Sequence, residues 1–95
     1  MAKAYLEITL KITDADRAQV VDVYSRYKTP FLQSIEGALT KELLVHVEDI
    51  QVLHSFNTIE NAQEYLLSNL FNDEVVVALK SVIKNNLNIK IYAVA

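Results

Sequence analysis

From residue 5 to residue 12 the chain alternates strictly, with Leu6, Ile8, Leu10 and Ile12 in one phase and Tyr5, Glu7, Thr9 and Lys11 in the other. A period of two marks a strand with one buried face, so this segment predicts the first strand. The period then lengthens. Asp14 or Asp16 is placed to cap a helix, because a short carboxylate accepts the free N–H groups of a first turn. Val20, Tyr24, Tyr27 and Phe31 follow at spacings of four, three and four, which lays one apolar stripe along that helix. Pro30 lies within the stripe and lacks a backbone N–H, so a kink or restart is expected at Thr29–Pro30. Gly37, the single glycine of the chain, is the expected helical stop.

Two strand-like runs come next, Leu39 to Val47 and Ile50 to Phe56, joined around Glu48 and Asp49 as a β-hairpin. Asn57 with Glu60 three residues later resembles a capping box, ahead of a helix carrying Ile59, Ala62, Leu66 and Leu70. Asp73 is expected to cap a further short helix with Val76, Leu79 and Ile83. The last run, Asn88 to Ala95, closes the chain as a strand, with Ile89 and Ile91 on one face and Lys90, Tyr92 and Val94 on the other. Strand, helix, hairpin, helices, strand is the βαββαβ order of a ferredoxin-like α+β domain with a four-stranded antiparallel sheet. Residues 1–95 suit one such domain, with no room for a second.

The hairpin decides which side chains are covered. An even-numbered loop, with Val45 opposite Val52 and Leu43 opposite His54, gathers Leu39, Lys41, Leu43, Val45, Ile50, Val52, His54 and Phe56 on one mostly apolar face beneath the helices. An odd loop would instead bring His46 and His54 to the same face. The even loop is preferred because it collects the apolar positions. The opposite face then carries Thr40, Glu42, Leu44, His46, Gln51, Leu53 and Ser55, alongside Tyr5, Glu7, Lys90, Tyr92 and Val94. Such a face is too polar for a monomer core and rather apolar for open solvent. Self-association across a two-fold axis would cover it, so a homodimer through the sheet is expected.

Composition narrows the chemistry. The formal charge of −3 and the scattered basic residues leave no footprint for a nucleic acid. No apolar run approaches the length of a membrane span, and the alternating N-terminus does not resemble a signal peptide, so a cytoplasmic protein is expected. Without cysteine there is no thiolate nucleophile and no Cys-ligated metal. With one glycine, no glycine-rich phosphate loop can be built, and no Ser-His-Asp order or metalloprotease helix is present.

The stretch EGALTKELLVHVEDIQVLHSFNTIENAQEYLLSNLF, from Glu36 to Phe71, resembles the antibiotic-biosynthesis-monooxygenase family of the dimeric α+β barrel superfamily in its glycine, paired strands, strand-end aromatic, capped helix and closing Phe. The resemblance in order and spacing extends over nearly the whole chain. It implies a homodimer whose two sheets close into a barrel, with a cavity in each subunit between sheet and helices. Several members oxidise small aromatic polyketides or quinols with molecular oxygen and no bound cofactor, others cleave haem, and many have no established activity. Here Phe56 stands where the family often has Trp, and Tyr65 and Leu70 stand where members often carry His. The Asn, Trp and His set of the haem-degrading branch cannot be assembled from this chain.

His54 is the candidate catalytic residue. On an apolar strand face beside Phe56 it could serve as a cavity base or hydrogen-bond donor, or be a core histidine held by a backbone carbonyl or a tyrosine hydroxyl. Tyr24, Tyr27, Phe56 and Tyr65 are the candidate substrate-binding residues, lining a cavity for an aromatic or otherwise hydrophobic small molecule, although tyrosines at helical spacing also serve as core. His46 is expected in solvent or at an interface, apart from His54, so no metal site is expected. Glu7 and Lys11 share a strand face where they could pair across the dimer, and Glu42 could lie in the barrel lumen. Two functions remain open from the sequence. One is a cofactor-independent monooxygenase; the other is a non-catalytic dimer that binds a small hydrophobic ligand or serves in stress response or assembly.

Overall fold

The first strand, β1, covers Ala4–Leu10 and buries alternate residues, with Ala4, Leu6, Ile8 and Leu10 inward. The computed structural model describes residues 1–83 and 87–95. Helix α1 spans Asp14–Ser34 and crosses the sheet with Val20, Val23 and Phe31 buried. Strands β2 (Ala38–Val45) and β3 (Ile50–Phe56) form the hairpin, and helix α2 covers Ile59–Leu66. A π-helical turn (Leu70–Val75) leads into two short helical pieces, α3 (Val76–Ala78) and α4 (Lys80–Ile83). Strand β4, Leu87–Ala93, completes an antiparallel sheet in the order β2-β3-β1-β4. This is the expected ferredoxin-like arrangement, with the helices over the inward face of the sheet.

Several local expectations are corrected. The residue capping α1 is Thr13 rather than Asp14 or Asp16, which both lie in the first turn, where carboxylates favour the helix dipole. Pro30 does not restart α1. The helix continues through it, because the missing N–H falls in the last turns and Ile35 N–H still reaches the Phe31 carbonyl at 3.1 Å. The cap of α2 is Thr58, one residue beyond Asn57, and its Oγ1 accepts from Asn61 N–H at 3.0 Å. Asp73 lies inside the π-helical turn and caps nothing.

Gly37 follows the end of α1 with a φ of 77°, a left-handed conformation that side chains disfavour. Its carbonyl accepts from Asn57 N–H at 3.0 Å, and a Cβ there would overlap the paired carboxamides of Asn57 and Asn61. The glycine therefore lets the loop after α1 close directly on the start of α2.

The hairpin has the expected even loop, but the pairing is moved by two residues. Val45 pairs with Ile50, Leu43 with Val52 and Lys41 with His54. His46 N–H donates to the Asp49 carbonyl at 2.9 Å, so the tip is Val47–Glu48 rather than Glu48–Asp49. Arg17 explains why the tip forms there: its guanidinium donates to the carbonyls of His46 and Val47 at 2.7 and 2.8 Å. A move of two residues keeps every side chain on its face, so His54 remains inward and His46 outward and exposed. A β-bulge between Ala38 and Thr40 breaks the ladder at Leu39, which is left partly exposed.

Candidate functional site

One row across the sheet carries the site. His54 on β3 pairs with Leu6 on β1 to one side and Lys41 on β2 to the other. Without the Leu39 bulge the phase of β2 would be reversed relative to Ala38. The bulge is thus what directs Lys41 inward while Ala38 also faces the core.

His54 is 1% exposed and its Nδ1 lies 3.2 Å from the Leu6 carbonyl. A carbonyl only accepts, so Nδ1 carries the hydrogen and Nε2 keeps its lone pair. Burial and the neighbouring Lys41 charge push the imidazole down to about 3, against which the Leu6 bond acts weakly. His54 is therefore neutral at physiological pH, an acceptor at Nε2 rather than a readily protonated base.

Aromatic rings enclose it. Phe31 meets His54 edge-on at 5.1 Å and Tyr65 at 5.0 Å, and Tyr65 lies 5.4 Å from His54 and 5.3 Å from Phe71. Tyr65 is fully buried, and its hydroxyl is the one buried side-chain polar atom without a partner among the described residues. Burial raises its pKa, so it stays a phenol and a donor.

Lys41 is the residue that sequence reasoning passed over. It is 3% exposed, and its ammonium lies over the rings of Phe31 and Tyr24 at 5.4 and 5.9 Å. Burial, and then the charge of Lys28, lower it to about 8. The ion pairs among the described residues are Asp14–Arg17 and Asp22–Arg26, so no carboxylate balances Lys41. Tyr24 ties α1 to this strand, its hydroxyl donating to the Lys41 carbonyl at 2.8 Å. The clue was present in the sequence: a lysine in the apolar phase of β2, between Leu39 and Leu43.

These groups border a cavity of about 30 Å³ between the sheet and the helices, walled by Val20, Val23, Tyr24, Lys41, His54, Tyr65, Phe71 and Leu79 among others. Of the candidate residues, His54, Tyr24 and Tyr65 are brought together here. Phe56 is buried beside them, 5.6 Å from Phe31, and Tyr27 lies at the margin of the core; neither lines the cavity. The cavity exceeds the roughly 10–15 Å³ needed for a water and falls well short of the roughly 150 Å³ that admits benzene. Among the described residues there is no cluster of His, Asp or Glu able to hold a metal, and no helix is long and apolar enough to cross a membrane.

No family model matches the chain, and no curated protein is significantly similar to it in sequence. Solved structures are similar in three dimensions. A Caulobacter crescentus protein described as an antibiotic biosynthesis monooxygenase superposes with a TM-score of 0.82 at 14% identity, covering 99% of this chain and 91% of that one. The chain has the fold of the antibiotic-biosynthesis monooxygenases. A Deinococcus radiodurans protein of the same description gives 0.80 at 14% identity, over 97% of this chain and 92% of that one. A Streptomyces coelicolor monooxygenase, solved with the ligand nanaomycin D, gives 0.81 at 9% identity, over 99% of this chain and 88% of the other. Within this monooxygenase-like fold the row from Leu6 to Lys41 lies under the helices, on the face where the sequence resemblance implies a cavity.

Proposed function

We propose that the chain is a cofactor-independent monooxygenase of a small electron-rich aromatic, a phenol or quinol, acting as a homodimer. The observation that carries this reading is the enclosed apolar cavity in a monooxygenase-like fold, with the Nε2 of His54, the hydroxyl of Tyr65 and the ammonium of Lys41 as its polar groups. Few polar groups in an apolar site orient a ligand and exclude water. For a phenol with a free para position the reaction balances without a reductant. One atom of O2 becomes the new ring carbonyl and the other leaves as water, and the phenol, which becomes a quinone, supplies all four electrons. His54 would accept a hydrogen bond from a substrate hydroxyl, while Tyr24 and Tyr65 hold the ring.

The cavity is too small for that ring with the helices as they stand, so binding requires the wall from Leu70 to Ile83 to move. That wall is the least regular part of the fold, a π-helical turn followed by two helical pieces of three and four residues. π-Helical irregularities recur at functional sites. Oxygen consumption with a panel of phenols and quinols tests the proposal. The wild-type protein should consume oxygen with at least one of them, and His54→Ala should lower kcat/KM by about tenfold or more. Equal rates in the two proteins would remove His54 from the mechanism, and no uptake with any substrate would overturn the oxygenase reading. The small cavity favours the second reading, a non-catalytic dimer that binds a hydrophobic ligand or serves as an assembly module, and that outcome is the one it predicts.

The homodimer is supported by the outward sheet face, where Leu44, Tyr92 and Val94 are exposed beside the half-buried Tyr5 and Leu53. Glu7 lies opposite Lys90 in the ladder, so the rim carries both signs of charge. Leu44→Asp combined with Tyr92→Asp should convert a dimer into a folded monomer in sedimentation equilibrium. A wild-type protein that sediments as a monomer would remove the dimer from the proposal.

A further inference from the structure

Lysine is almost never fully buried without a partner, because an uncompensated charge in a low dielectric is costly. Lys41 is such a case, inward on β2, with ring faces and no carboxylate around its ammonium. Tyr65, on the opposite wall formed by α2, brings a buried hydroxyl that has no acceptor among the described residues. Both side chains line the same apolar cavity, and both can only be satisfied there by something that accepts hydrogen bonds. The third polar group, His54, has its Nδ1 engaged by Leu6 and supplies an acceptor, not a counter-charge.

From this we infer that Lys41 and Tyr65 form a receptor for one anionic oxygen, and that the substrate is an acidic phenol bound as its phenolate. The inference rests on the phenol reading above and specifies it. A phosphate would bring more charge and more oxygens than one ammonium and one hydroxyl can answer. A phenolate carries a single charge spread into its ring, and the walls of Val20, Val23, Phe71 and Leu79 suit that apolar body. On binding, the phenol O–H breaks and its proton leaves to solvent. It does not rest on His54, where a second positive charge beside Lys41 is unfavourable. The phenolate is the electron-rich form from which O2 draws electrons, so the lysine would couple binding to activation.

The test uses 4-nitrophenol, whose ionised form is coloured, and 4-nitroanisole, its neutral ether. Wild-type protein should prefer the phenolate and lower the apparent pKa of the bound phenol. Lys41→Met, which keeps the length of the side chain and removes a buried charge, should remain folded and lose that preference by about tenfold or more. Tyr65→Phe should weaken phenolate binding a few-fold and leave the ether unaffected. The proposal is overturned if wild type binds the ether as well as the phenolate, if it binds neither, or if Lys41→Met keeps the preference. Tighter binding of 4-nitrobenzoate would overturn the phenol assignment. Oxygen uptake separates the two readings. Turnover that is unchanged in Lys41→Met removes the receptor and leaves the oxygenase, whereas a lysine-dependent phenolate preference without turnover removes the oxygenase and leaves the receptor.

Discussion

Lowering the pH from 7 to 4 is expected to cost about 3 kcal/mol of folding stability through His54 alone, enough to dominate the acid limb of the stability profile. The folded imidazole is held down to about 3, against an ordinary value of 6.5. Below 6.5 the unfolded chain takes up a proton that the folded chain refuses, so the stabilisation present above that pH is lost progressively as the pH falls toward 3. The groups around the ring explain the size of the effect: Lys41 on β2 stays charged throughout, and Tyr65 on α2 is a neutral phenol. Lys28 on α1 adds positive charge near Lys41. Urea unfolding at a series of pH values measures the slope, and His54→Gln should flatten it between pH 6.5 and 4. A wild-type profile that is flat over that range would show that His54 protonates freely in the folded protein. On the alkaline side Lys41 acts in the same direction. Its folded value of about 8 lies below the ordinary 10.5, so stability rises as the pH passes from 8 to 10.5.

Phe31→Ala is expected to be the most damaging single substitution in the core, at about 3–5 kcal/mol. Phe31 is fully buried and joins α1 to the sheet and to α2 at once, through edge-on contacts with His54, Phe56 and Tyr65 at 5.1, 5.6 and 5.0 Å. The Lys41 ammonium also rests on its ring. Alanine therefore removes transfer energy, leaves a void that elements meeting from three directions cannot close, and takes one ring face away from an unbalanced charge. For a domain of this size each kcal/mol corresponds to about 4–8 °C in Tm, so the variant should melt tens of degrees lower. Phe31→Leu, which fills most of the space, should cost less than half as much. Thermal unfolding of the two variants decides it; equal and small losses would mean that α1 repacks around the gap.

How far the sequence reached depended on whether a feature was periodic. The strict alternation of Tyr5 to Ile12 and the stripe from Val20 to Phe31 specify strand and helix because burying one face demands that spacing. The hairpin faces were legible for the same reason, since gathering Ile50, Val52 and Phe56 inward allows only an even loop. His54 was therefore placed beneath the helices from the alternation. The caps were misread by one residue because Thr13, Asp14, Asn57 and Thr58 are all competent caps, and only the packing of each helix selects among them. Lys41 was visible as a polar residue in an apolar phase, but sequence cannot tell a lysine whose stem lies along a sheet with its head in water from one that is enclosed.

The order of elements, the antiparallel sheet and the identity of its inward face follow from the chain's own periodicity, because local pattern and burial point to one answer. The register of β2 against β3, the Leu39 bulge and the convergence of Lys41, His54 and Tyr65 on one cavity do not. They arise from contacts between residues far apart in the chain, such as Arg17 on the Val47 carbonyl and Tyr24 on that of Lys41. A one-dimensional pattern carries phase but not distance, and the chemistry here depends on distance.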